Sequence, residues 1–147
     1  MTKGNLLIVD DEPLLLKRLR MNLEEYVDRV FTAADGVEAL AILRTEEIRC
    51  VICDVNMPRM NGIEVIKKIR AEKNDVPFIF YTGHGNQDMM MEVAKYGAYD
   101  FFNKPQFDGL EEVISRGFKN GFHVKPLDQI SDLISDYQKL LGDLGED

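Results

Sequence analysis

Five apolar runs of strand length, at residues 6–9, 30–33, 50–54, 78–81 and 99–102, alternate with segments whose apolar residues recur at helical spacing. Five β-α units in that order predict a parallel sheet with helices on both faces and right-handed crossovers. The third run, Cys50-Val51-Ile52-Cys53, is apolar on both faces, as a central parallel strand must be. Helical faces are expected at Leu14, Leu15, Leu19 and Leu23 behind Pro13, and at Val37, Leu40, Ala41 and Arg44. Others are expected at Val65, Ile66 and Ile69, from Met89 to Tyr96 with Gly97 as terminator, and at Leu110, Val113, Ile114 and Phe118.

Polar residues close four of these runs. Asp10 and Asp11 follow the first, Asp54 ends the third, Thr82 follows the fourth, and Lys104 comes just after the fifth. In an open parallel sheet, ligands bind outside the carboxyl ends of the strands, so residues nearly a hundred positions apart can converge on one crevice. Asp10, Asp11 and Asp54 could not share that crevice without a cation or a raised pKa. An oxygen-rich set with open positions suits Mg2+, which keeps several waters and uses one or two carboxylates. Asp54, on the rigid central strand, is the carboxylate placed to act as a nucleophile and form an acyl phosphate. Lys104 and the cation would spread charge over the phosphoryl oxygens, and Thr82 would hydrogen-bond one of them.

Composition narrows the class. With 45% apolar and 30% charged residues, the 147-residue chain reads as one ordinary globular domain with an appendage. No stretch approaches the ~18 apolar residues of a membrane span, and the amino-terminal residues lack signal-peptide anatomy. A cytoplasmic location is the expectation. The net charge of −8 provides no basic stripe for direct nucleic-acid binding. Cys50 and Cys53 have C-x-x-C spacing, but residues three apart on a strand point to opposite faces. They are expected to be two small buried hydrophobes rather than a redox or zinc pair.

The composition changes near Val124. Residues 126–147 hold six acids against one base, Lys139. Leu127, Ile130, Ile134, Tyr137, Leu141 and Leu144 recur there at three-four spacing, an amphipathic pattern under three heptads long. Such a helix either packs on its own domain, dimerises or binds a partner, or stays mobile. The organisation expected is a domain at 1–122 and an acidic amphipathic segment at 123–147.

The stretches LLIVDDEP (6–13), AADGVEAL (33–40), VICDVNMPRMNG (51–62), TGHG (82–85) and GAYDFFNKP (97–105) resemble the receiver domain of two-component response regulators over about residues 4–121. The resemblance implies a flavodoxin-like α/β fold with strand order 2-1-3-4-5. It implies that Asp54 accepts a phosphoryl group from a histidine kinase or phosphotransfer protein. Mg2+ would be held by Asp11, Asp54 and the backbone carbonyl of Asn56, with Asp10 acting through water. Thr82 and Lys104 would contact the phosphoryl oxygens, and Phe101 would be the aromatic switch, relying on packing because it has no hydroxyl. Asn56 and His84 occupy positions where the family tunes phosphoryl lifetime; neutral Asn56 suggests a short to moderate one. The helix bearing Met89-Met90-Met91 belongs to the usual output face, with Met90 expected in the core and Met89 and Met91 toward a partner.

The resemblance thus implies a signalling switch rather than an enzyme, catalysing only its own phosphorylation and dephosphorylation, with output through an effector protein. About 26 residues follow Gly121, too few for a typical DNA-binding domain of about 60. This favours a stand-alone regulator of the chemotaxis or phosphorelay kind over a piece of a longer regulator or hybrid kinase. A phosphatase of the haloacid-dehalogenase type would need an aspartate two residues past the nucleophile, where this chain has Asn56.

Overall fold

The fold is taken from a computed structural model, which describes residues 4–83, 87–103 and 109–123. Five parallel strands, β1 (Asn5–Val9), β2 (Arg29–Ala33), β3 (Ile48–Asp54), β4 (Phe78–Thr82) and β5 (Asp100–Asn103), form one sheet in the order β2-β1-β3-β4-β5. The helices are α1 (Pro13–Leu23), α2 (Gly36–Thr45), α3 (Gly62–Ala71), α4 (Gln87–Lys95) and α5 (Leu110–Asn120). The order changes direction between β1 and β3, which places a crevice outside their carboxyl ends.

Strand alternation sorts the core into two layers. Leu7, Val9, Val51, Cys53, Phe78 and Phe80 pack toward α2, α3 and α4. Leu6, Ile8, Cys50, Ile52, Ile79 and Tyr81 pack toward α1 and α5. Cys50 and Cys53 are therefore on opposite faces, both buried and free. Burial pushes both thiols well above their ordinary range, so neither is poised for thiolate chemistry.

Two expected helix faces need correction. On α1, Leu19 and Leu23 are buried as expected and Leu15 is half-buried, but Leu14 is 83% exposed and Leu16 packs half-buried beside them instead. On α2, Leu40 is buried as expected, together with Gly36, Ala39 and Leu43, while Val37, Ala41 and Arg44 face outward. The α3 face holds as expected, with Val65, Ile66 and Ile69 buried. Its start is a reciprocal cap: Asn61 accepts from the Glu64 N–H and the Glu64 carboxylate accepts from the Asn61 N–H.

At the opposite end of the sheet, Arg49 donates to the carbonyls of Phe118 and Gly117, 2.7 and 3.3 Å away, and so caps α5. Phe122 folds back against Gly117 and meets Tyr99 and Phe118 edge-on, with ring centroids 5.3 and 5.4 Å away. No helix among the described residues is long and apolar enough to cross a membrane.

Candidate functional site

β1 and β3 end side by side, Val9 opposite Cys53, so the residues that follow are brought together by sheet register alone. Carboxylate oxygens of Asp10, Asp11 and Asp54 all lie within 4.8 Å of one another. Asp10 and Asp54 are buried and Asp11 is exposed. Two buried acids and an exposed one, all offering hard oxygen atoms, form a donor set suited to Mg2+.

Local hydrogen bonds hold the two buried acids in place. The Asp10 Oδ1 accepts from the Glu12 N–H at 2.7 Å, and its Oδ2 accepts from the Tyr81 hydroxyl at 2.6 Å. The Asp54 Oδ1 accepts from the Asn56 N–H at 3.2 Å. Tyr81 pairs with Asp54 across the β3–β4 ladder, and the Val55 N–H donates to the Tyr81 carbonyl. That ladder delivers Thr82, fully buried, to the rim of the acidic cluster. Its hydroxyl accepts from the Asn56 side-chain amide at 2.9 Å. Asn56, two residues past Asp54, thus bridges β3 and β4 across the mouth of the crevice.

The loop carrying Asn56 is clamped to α2. Arg59, at φ +66°, forms an ion pair with Asp35, and the Gly36 N–H donates to the Met60 carbonyl. Asp35 also caps α2 by accepting from the Glu38 N–H. That backbone donor first, then the Arg59 guanidinium, holds the Asp35 carboxyl below its ordinary range. A depressed pKa contributes stability above the unfolded-state pKa, lost as pH falls through the folded value. Asp35→Asn keeps a capping oxygen but loses the charge, so it should be less stable than the parent at neutral pH. Urea denaturation at descending pH should show the gap closing below pH ~4, the ordinary aspartate range.

Phe101 is half-buried against the α2–α4 layer, next to Phe80 in register, and Phe102 is half-buried in the other layer. On α4, Met90 is buried and Met91 is 42% exposed, whereas Met89 packs partly into the core. Of the two methionines expected toward a partner, only Met91 is openly presented. Lys104, His84 and the acidic segment from 124 onward lie outside the described residues.

Residues 6–115 match the family model of the response regulator receiver domain. The chain belongs to the response regulator receiver family. This receiver is 35% identical to a chemotaxis protein CheY homolog of Campylobacter jejuni, covering 79% of this chain and 96% of that protein. It is 34% identical to the transcriptional regulatory protein FixJ of Bradyrhizobium diazoefficiens, covering 71% of this chain but only 51% of that protein. Among solved structures, it resembles a chain of the CheX-CheY-BeF3-Mg2+ complex from Borrelia burgdorferi, with 28% identity and a TM-score of 0.68. That match covers 78% of this chain and 87% of the other. The receiver is accordingly a phosphorylation-dependent signalling switch and not a classical enzyme.

Two features of the receiver site were absent from the sequence reading: the Tyr81–Asp10 hydrogen bond and the Asp35–Arg59 clamp. A tyrosine inside the run FIFYT carried one signal, a hydroxyl next to the strand-end Thr82 in a run that is otherwise apolar.

Proposed function

We propose that this receiver takes a phosphoryl group on Asp54 from a histidine kinase or phosphotransfer protein, with Mg2+ bound beside it, and signals through protein contacts. One observation carries the reading: three carboxylates within 4.8 Å of one another at the carboxyl edge of a parallel sheet. Asp11, Asp54 and the backbone carbonyl of Asn56 would hold the cation. Both Asp10 oxygens already accept hydrogen bonds, which supports a role through water. When bound, the cation neutralises charge on the transferring phosphoryl oxygens.

An Asp54 oxygen attacks phosphorus, the phosphorus–nitrogen bond of the donor histidine breaks, and the imidazole leaves with the electron pair. Lys104 and the Thr82 hydroxyl would then contact the phosphoryl oxygens. Phosphorylation adds roughly −1.5 to −2 charges. For Thr82 to reach the new group, its hydroxyl must give up or reorient the contact with the Asn56 amide. The space Thr82 leaves lets Phe101 turn inward, and α4 shifts its exposed face at Met91. Asn56, so released, orients the water that attacks phosphorus and restores the carboxylate, and His84 is the other lifetime-tuning position.

The receiver unit is assigned to 1–122, in the cytoplasm, and the acidic segment 123–147 to packing on that unit or to dimerisation or partner contact. Acetyl phosphate and Mg2+ should place hydroxylamine-sensitive, acid-labile phosphate on the protein at no more than one equivalent, and chelation should prevent it. Asn56→Ala should slow the decay of that label. Absence of label, or turnover of many substrate equivalents, would overturn the reading.

A further inference from the structure

Tyr81 lies on β4 and Asp10 just past β1, with β3 between them. Two strand spacings amount to about 9.5 Å, so the phenol must reach beneath the central strand to meet the carboxylate. Its hydroxyl is 2.6 Å from the Asp10 Oδ2 and 3.3 Å from the Val9 carbonyl. The first distance is that of a hydroxyl donating to an anion.

Asp10 is fully buried, and a buried polar group is costly unless hydrogen-bond donors satisfy it. The Glu12 N–H fixes one oxygen and the Tyr81 hydroxyl the other, which sets the rotation of the carboxylate plane. The orientation of the carboxylate is thereby set before a cation arrives.

We propose that Tyr81 is a positioning residue for the cation site, acting through Asp10 to set the affinity for Mg2+. The inference rests on the function proposed above. It adds that an interior aromatic residue, outside the acidic cluster itself, determines how tightly the cluster holds a divalent ion.

Calorimetric titration of the full chain with magnesium chloride tests it. Tyr81→Phe keeps the ring and removes only the hydroxyl, and should weaken binding about tenfold, the lower end for loss of an outer-shell partner. Ile79→Val, in the same strand and layer but away from the acids, should bind as the parent does. In an Asp10→Asn background, Tyr81→Phe should have little further effect, since the two residues act as one unit. Parent-like affinity in Tyr81→Phe would overturn the inference and leave the receiver reading intact. Equal weakening by Ile79→Val, or an undiminished loss in the Asp10→Asn background, would also overturn it, because affinity would then follow general stability. A parent chain that binds no Mg2+ would overturn both the inference and the proposed function.

Discussion

Asp54→Asn should incorporate no detectable acid-labile phosphate from acetyl phosphate, while remaining folded. The substitution is nearly isosteric, and its amide oxygen can still accept from the Asn56 N–H that holds the Asp54 carboxylate. What disappears is the proposed nucleophile, because a neutral amide oxygen cannot form the acyl phosphate. A second consequence follows from charge. Three carboxylates confined within 4.8 Å would make Mg2+, as proposed, a ligand that prefers the folded chain. A ligand at a hundred times its Kd stabilises the state that binds it by about 2.7 kcal/mol. Removing one carboxylate weakens binding, so Mg2+ should raise the melting temperature of the parent more than that of Asp54→Asn. Thermal scans with and without Mg2+ read this directly. Label on Asp54→Asn equal to the parent's would place the acceptor elsewhere.

Strand positions were readable because a doubly wound sheet buries both faces of its central strands, and continuous apolar runs mark them. The helix faces were less legible. Leu14 shares the helical spacing of Leu15, Leu19 and Leu23, yet only Leu19 and Leu23 of that set are buried against the sheet. A surface helix needs only an apolar stripe about 100° wide, and sequence spacing does not say which edge of a leucine-rich stripe touches the sheet. The same ambiguity turned Val37 and Ala41 outward and Leu43 inward.

The acids of the site were legible for a topological reason. Residues at the carboxyl ends of adjacent parallel strands meet whatever their separation in sequence, so Asp10, Asp11 and Asp54 could be grouped before any coordinates. Thr82 joined them by the same rule. Tyr81 could not, because its contact depends on reach rather than register: its side chain passes one strand to touch the next but one. The Asp35–Arg59 clamp escaped for a related reason, since a loop arginine 24 residues from its partner carries no periodic signal.

Gly62→Ala should cost about 1–3 kcal/mol of stability, the range for forcing atoms into a filled core, and should also slow phosphorylation. Gly62 begins α3, and its N–H donates to the Val55 carbonyl at 2.9 Å. A methyl group there would lie 2.5 Å from the Asp54 carbonyl oxygen and 3.1 Å from both the Cys53 Sγ and a Phe80 ring carbon. The nearest obstacle is backbone, which cannot swing aside as a long side chain would. Relief must come from moving the start of α3 or the end of β3, and the end of β3 is Asp54 itself. Misplacing a reacting group by about 1 Å can cost on the order of a hundredfold in rate, so labelling by acetyl phosphate should slow beyond what lost stability explains. Gly83 offers the contrast: it is exposed, with nothing within 4 Å of the position its Cβ would take. Gly83→Ala should change stability by no more than about 0.5 kcal/mol. Urea denaturation of the two variants beside the parent separates them. Parent-like stability and labelling in Gly62→Ala would mean that α3 can retreat from Asp54 at no cost, and that the acceptor carboxylate is not held by this contact.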